Sequence, residues 1–244
     1  MKLNRIQKKV LLSGFALFLS FFPTQVNANT LADGVSAYNS GDFDKAFQIL
    51  TSFAQDGNAT AQFNLGIMYR KGQGTPQDYR EALKWLTKSA EQGDANAQYH
   101  LGVMYQNGQG VPQDYKKAVK WYTKSGEQGD ATAQFNLGVI YDNGQDVPQD
   151  NKQAIKWYTK SAEQGNASAQ SNLGIMYYLG QGVPQDDVIA YAWFNLAASK
   201  SGASGTDNVK DLRDLIQKEL TPSQIEQGQK LSKEWSEKFS KSEK

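Results

Sequence analysis

The sequence predicts an all-α fold, a right-handed α/α solenoid (superhelix) of helix-turn-helix repeats with a period of 36 residues. Three observations predict it. Leu-Gly-x-x-Tyr recurs at Leu65 to Tyr69, Leu101 to Tyr105, Leu137 to Tyr141 and Leu173 to Tyr177. Around it, other columns return in the same register, among them Gln62/Gln98/Gln134/Gln170, Pro76/Pro112/Pro148/Pro184 and Trp85/Trp121/Trp157/Trp193. Between two stretches of helical spacing, Gly and Pro supply a break in every copy. A fixed period of this length marks a stack of supersecondary units, each burying its apolar face on its neighbours. Such chains build extended surfaces.

The elements follow in order. Residues 1–28 read as a signal peptide: Lys2, Arg5, Lys8 and Lys9 precede the apolar run Val10 to Phe22, and Val26 and Ala28 place small residues at −3 and −1 of a cleavage site. The alternative, an uncleaved anchor, fits poorly, because 13 helical residues reach only about 20 Å of a hydrocarbon core about 30 Å thick. Export to the periplasm or medium is expected, with cleavage after Ala28. Cleavage leaves 22 basic and 25 acidic residues, a net charge of −3. That balance offers no excess of cations for phosphates and argues against nucleic acid as partner. The chain has no Cys, so packing alone must hold it together. No later stretch is apolar enough to span a membrane, so the cleaved chain is expected to be soluble.

Residues 29–57 read as a degenerate first repeat. Ala46, Ala54 and Gly57 stand 36 residues before Ala82, Ala90 and Gly93, whereas Tyr38 stands 31 before Tyr69, so its loop is five residues shorter. Four full copies follow at 58–93, 94–129, 130–165 and 166–201. In each, Asn58, Asp94, Asp130 or Asn166 is the expected N-cap of helix A, and Gly72 or its equivalent the expected C-cap. Asp78, Asp114, Asp150 and Asp186 should cap helix B, with Glu81 completing a capping box in the first copy. Gly66, Gly102, Gly138 and Gly174 lie inside helix A, at a cost of up to about 1 kcal/mol each relative to Ala. They imply a close neighbouring helix, for which Ala82, Ala118, Ala154 and Ala190 suit the facing side. The four Trp should fill the wedge between successive hairpins. Residues 202–244 read as a helical capping extension: a polar loop at 201–208, then a helix over 209–220 with Leu212, Leu215 and Ile216 inward. A last helix starts at Thr221-Pro222-Ser223-Gln224, carries Ile225, Leu231 and Trp235, and frays over 238–244.

The columns Ala-x-x-x-Leu-Gly-x-x-Tyr, Gly-x-Gly-x-Pro-x-Asp, Ala-x-x-Trp and Ala-Glu-Gln-Gly resemble the Sel-one-like repeat (SLR) family, a subgroup of the tetratricopeptide-like α/α solenoids, over residues 58–201. The turn Tyr38 to Phe43 resembles an ordinary tetratricopeptide turn, so residues 29–57 are read as a degenerate N-terminal tetratricopeptide-like repeat. The 202–244 tail resembles the extension on many bacterial members. Two positions depart from the pattern: Asp146 replaces the Gly of the other loops, and Gly126 replaces an Ala. The resemblance implies a non-catalytic scaffold or adaptor whose partner is another protein or peptide, in the cell envelope or outside the cell. The rival reading is a cell-wall-associated binding factor, with peptidoglycan or envelope association, or a β-lactamase-like enzyme of the family's cysteine-rich secreted branch. This chain lacks the cysteines of that branch and carries neither Ser-x-x-Lys nor Lys-Thr-Gly.

No catalytic residue, metal site or cofactor is expected. His100 is the single histidine, standing where the other copies have Asn64, Asn136 and Asn172. The Asp column is accounted for by capping. The candidate partner-binding groove lies on helix A. Phe63 and Ile67, Tyr99 and Val103, Phe135 and Val139, and Ile175 form a second apolar stripe beside the core columns. Either it packs between repeats or it opens as an apolar groove for a peptide or helix. Asn64, His100, Asn136 and Asn172 adjoin it and could pair with a ligand backbone. Arg70, Gln106, Asp142 and Tyr178 occupy one column and differ in every copy, as a recognition surface or an unconstrained solvated face would. On helix B, Lys84, Lys120 and Lys156 with Lys88, Lys124 and Lys160 form a basic track, read as a solvated face or a site for an acidic partner or anionic glycan.

Overall fold

The computed structural model describes residues 29–200 and 207–242, and among them it contains twelve α-helices and no strand. The signal peptide, the loop at 201–206 and residues 243–244 lie outside the described residues. The helices are α1 (Leu31–Ser40), α2 (Phe43–Gln55), α3 (Ala59–Lys71), α4 (Tyr79–Glu91), α5 (Ala95–Asn107), α6 (Tyr115–Glu127), α7 (Ala131–Asn143), α8 (Asn151–Glu163), α9 (Ala167–Leu179), α10 (Asp187–Lys200), α11 (Asp207–Glu219) and α12 (Pro222–Ser242). Each odd helix to α9 is helix A of a hairpin and the next is its helix B. The fold is an α/α solenoid.

Local chemistry sets the boundaries. Asn58 accepts from the Ala61 N–H at 2.9 Å, and Asp94, Asp130 and Asn166 cap their A helices in the same way. Gly72 ends α3 in the left-handed region, at φ 69°. The loop then closes on its own helix, because the Asp78 N–H donates to the Tyr69 carbonyl at 2.9 Å, a bond repeated at Asp114, Asp150 and Asp186. Asp78 caps α4 by accepting from the Arg80 and Glu81 N–H groups. The capping box expected with Glu81 does not form. Since the Asp78 N–H is already bonded to Tyr69, Glu81 turns outward instead, pairing with Lys84 at 3.0 Å and accepting from the Trp85 indole at 3.1 Å. Asp146 takes φ 50°, the conformation that Gly holds in the other loops.

The intrahelical glycines face a different column from the one expected. A β-carbon on Gly102 would stand 2.5 Å from the Tyr122 ring, and one on Gly66 would stand 2.7 Å from Leu86 Cγ. Gly138 faces Tyr158 and Gly174 faces Phe194 in the same way. The partner is thus the large residue four after Ala82 and its equivalents, one turn further along helix B. Those alanines are fully buried but are not what the glycines clear.

Each of the four repeat Trp residues fills the wedge between helix A of its own hairpin and helix B of the hairpin before it, as the sequence led one to expect. Trp85 packs with Ala46, Leu50, Ala54, Ala61 and Leu65, and Trp157 with Ala118, Tyr122, Ala133, Leu137 and Ile140. Trp85, Trp157 and Trp193 are buried, whereas Trp121 is half-buried. A polar ladder runs beside them. Gln134 donates to the Gly126 carbonyl at 2.7 Å and accepts from Gln164 at 2.8 Å, and Gln62/Gln92 and Gln98/Gln128 repeat the pair. Ser89, Ser125 and Ser161 each donate back to a carbonyl 30 residues earlier. These bonds satisfy polar groups that the stack buries, which keeps the spine from costing more than it contributes.

The C-terminal extension closes the end. Helix α12 lies on α10, with Trp235 and Phe239 at 4.3 and 6.3 Å from the Trp193 ring. Its start is a full capping box: the Thr221 N–H donates to Gln224 Oε1 at 2.9 Å, and Gln224 N–H returns to Thr221 Oγ1 at 3.4 Å. Helix α11 begins at Asp207, two residues before the expected start. Two further expectations fail here. Leu215 is 48% exposed while Leu212 is half-buried and Ile216 buried: the i, i+3, i+4 spacing puts all three on one helix face, but only Leu212 and Ile216 reach the cluster of Tyr191 and Phe194 on α10, and Leu215 lies at the uncovered edge. The last helix does not fray at 238, since Phe239 is buried against Trp193 and holds it to Ser242.

Candidate functional site

Helix A of one hairpin touches helix A of the next, as α1 does α3, α5 does α7 and α7 does α9, and among the described residues no pair of B helices touches to the same extent. The A helices therefore line the tighter side of the stack, and the candidate residues sit on them.

The second stripe packs between repeats. Phe63 and Ile67 rest on a cluster that includes Leu86, Ala90, Ala97 and Leu101. Tyr99 and Val103 pack against Tyr122, Ala133 and Leu137, Phe135 and Val139 against Tyr158, Ala169 and Leu173, and Ile175 against Tyr191 and Phe194. Ile67, 5% exposed, and Asn64, 9% exposed with its amide bonded to the Thr60 carbonyl at 2.8 Å, face inward and present nothing to a partner. The other thirteen candidates are half-buried. What the stack leaves open is a shallow face of part-covered rings with polar side chains between them, not a deep apolar groove.

The varied column has an internal cause. The Tyr122 hydroxyl donates to Gln106 at 2.7 Å and the Tyr158 hydroxyl to Asp142 at 3.3 Å. Burial pushes both phenols well above their ordinary value. It also raises the Asp142 carboxyl, against the opposing pull of the Tyr158 hydrogen bond. Tyr178 donates to Glu219 of α11 at 3.3 Å. In two repeats the column thus meets a helix B hydroxyl, and the sequence held that signal in the tyrosines that stand 16 residues after Gln106 and Asp142.

His100 stacks on Phe63, with ring centroids 5.7 Å apart and planes 19° from parallel, and Tyr99 lies 5.0 Å away. Burial, with the nearby Arg70 and Lys71 charges adding to it, pushes the imidazole down to about 4. The basic track on helix B is tied to the Trp spine. Lys88, Lys124 and Lys160 place their ammonium groups 4.6 to 4.8 Å from the Trp85, Trp121 and Trp157 ring centroids, a cation–π contact worth about 0.5–1 kcal/mol at an exposed site. Among the described residues no cluster of three His, Cys, Asp or Glu could hold a metal ion.

No curated protein matches the chain. Solved structures similar to it include two that share a third of their aligned residues with it. A Sel1 repeat protein from Oxalobacter formigenes shares 33% identity over 70% of this chain and 69% of its own, with a TM-score of 0.66. The second is c5321, a protective antigen present in uropathogenic Escherichia coli strains and displaying an SLR fold. It shares 33% identity over 86% of this chain, with a TM-score of 0.51; this chain spans about half of its length, 53%. The Sel1 repeat model matches residues 59–94, 95–130, 131–166 and 167–201, more than half of the sequence and in step with the hairpins α3/α4 to α9/α10. With capped hairpins, glycine-cleared crossings and four matched repeats in agreement, the chain belongs to the Sel1 repeat family.

Proposed function

We propose that the chain is an exported, non-catalytic scaffold that holds another protein against the A-helix face. The Sel1 repeat architecture is that of protein–protein interaction modules, which supports the general reading. The observation that carries the choice of face is the row of half-buried aromatics Phe63, Tyr99 and Phe135 on the tighter side, where a partner could cover ring edges while bonding the side chains between them. Export rests on the pattern of residues 1–28, a basic start, a short apolar run and a small-residue cleavage site.

The test is in-cell photo-crosslinking. A photoreactive amino acid is placed at Gln106 or Tyr178 on the A face and at Lys120 on helix B. A discrete protein adduct from the first two and none from the third is expected. Adducts from Lys120 alone, or from no position, overturn the choice of face. N-terminal sequencing of the envelope fraction should begin at Asn29, and a cytoplasmic chain beginning at Met1 overturns export. Turnover of a chromogenic β-lactam by the purified chain, abolished on unfolding, overturns the non-catalytic part.

A further inference from the structure

At two junctions of the stack a buried hydroxyl is the hub between repeats. Tyr122 donates to Gln106 of its own repeat, and Asn136 of the next repeat approaches the same oxygen. Tyr158 donates to Asp142, with Asn172 approaching from beyond. The junction between the first and second full repeats uses the same three positions with different chemistry, namely Leu86, Arg70 and His100. Leucine has no hydroxyl, so the hub atom is missing. The groups that would surround it carry nitrogens instead, a guanidinium donor and an imidazole, and neither is satisfied: Arg70 Nε and His100 Nδ1 are both buried without a hydrogen-bond partner. Arg70 forms no ion pair among the described residues. Buried polar atoms left unpaired are costly, and these two stand at the repeat positions whose counterparts flank a tyrosine oxygen at the neighbouring junctions.

We infer that this junction binds the side-chain carboxylate of an aspartate or glutamate on an extended segment of the partner protein. A carboxylate offers two acceptor oxygens, and charge-assisted bonds from guanidinium and imidazole are among the stronger polar contacts. It takes the role that the tyrosine hydroxyl holds one repeat further on. The charge is complementary: Arg70 and the exposed Lys71 make this junction positive in a chain whose residues beyond 28 carry a net −3. Phe63, stacked under His100 at 5.7 Å, and Tyr99 at 5.0 Å form walls for apolar residues flanking the acid. The inference rests on the scaffold reading and narrows it to one junction and one recognised group.

The single histidine makes the test specific, because its ring signals in NMR report on this junction alone. The full chain is titrated at fixed pH with an acetylated, amidated five-residue peptide carrying a glutamate between two leucines, and with its glutamine counterpart. The glutamate peptide should shift the His100 ring signals saturably, and the glutamine peptide should need at least about tenfold more to do so. Arg70→Gln should weaken the glutamate peptide about tenfold. So should Leu86→Tyr, which removes no charge and restores the hydroxyl hub that the next two repeats tolerate beside their own glycines. Equal shifts from both peptides, or full affinity in both variants, overturn the proposal. Tighter binding of the glutamine peptide with a free C-terminal carboxylate, or of inorganic phosphate, overturns the choice of a side-chain carboxylate. Adducts from Gln106 that persist beside a null titration would spare the scaffold reading and sink this one.

Discussion

Gly102 lies against Tyr122 so closely that a β-carbon there would stand 2.5 Å from the ring. The same position in every full repeat clears a large helix B residue, so the glycine sets how near the two helices of a hairpin come. Gly102→Ala gains helix propensity of about 1 kcal/mol but forces a fully buried ring to shift, which costs about 1–3 kcal/mol or more in a packed interior. The net expectation is destabilisation, read as a lower urea midpoint. An unchanged or raised midpoint would show that the hairpin spreads without penalty.

Gly126 should respond with the opposite sign. Ala90 and Ala162 hold the equivalent places, and a β-carbon at 126 would meet Gln134 Cγ at 3.1 Å and Trp157 Cζ3 at 3.4 Å. Those contacts need only a few tenths of an ångström of give. Gly126→Ala should stabilise the chain by about 0.5–1 kcal/mol through helix propensity. Comparison of its midpoint with that of Gly102→Ala separates propensity from crowding, and a fall in both would refute the distinction.

The Trp spine is not uniform. Trp157 is buried among Ala118, Tyr122 and Leu137, so Trp157→Ala should cost about 3–5 kcal/mol. Trp121 is half-buried, and the same change there should cost clearly less. Equal losses by chemical denaturation would mean that exposure at Trp121 does not reflect looser packing.

The period, the caps and the C-terminal capping box were legible because each is local. Asn58 and Ala61, or Thr221 and Gln224, meet through spacings of three residues that any helix start imposes. What the sequence left open depends on how two helices cross. The column facing Gly66 could be Ala82 or Leu86, since both lie on one face of α4 a turn apart. The outward turn of Glu81 needed the knowledge that Tyr69 had already taken the Asp78 N–H. At the candidate site, the stripe from Phe63 to Ile175 was visible, but its two possible uses differ only in where the next hairpin docks. That docking buried Ile67 and Asn64 and left Tyr99 and Phe135 at the rim. The exchange of a hydroxyl hub for Arg70 and His100 was written in three columns, whose convergence only the fold supplies.

His100 gives the chain a defined pH sensitivity. Burial first, then Arg70 and Lys71, hold its imidazole at about 4 rather than the ordinary 6.5. The fold therefore prefers the neutral ring. Above about pH 6.5 the ring is neutral folded or unfolded, and its contribution to stability is intact. As pH falls below that value the unfolded chain takes up a proton that the folded chain refuses until about 4, so stability is lost across this window. The full shift corresponds to up to about 3 kcal/mol, of which about 2 kcal/mol should be gone by about pH 5. Below that, other groups join: Asp114, whose carboxyl the Lys117 backbone N–H holds below its ordinary value, loses its contribution as it protonates. His100→Asn places the residue of the other repeats in the column and should flatten the curve between about pH 7 and about pH 5. The difference between the two urea midpoints across that range isolates the imidazole from every carboxyl they share. Parallel curves would mean that His100 stays solvated in the folded chain and that its ring is not sealed between Phe63 and Tyr99.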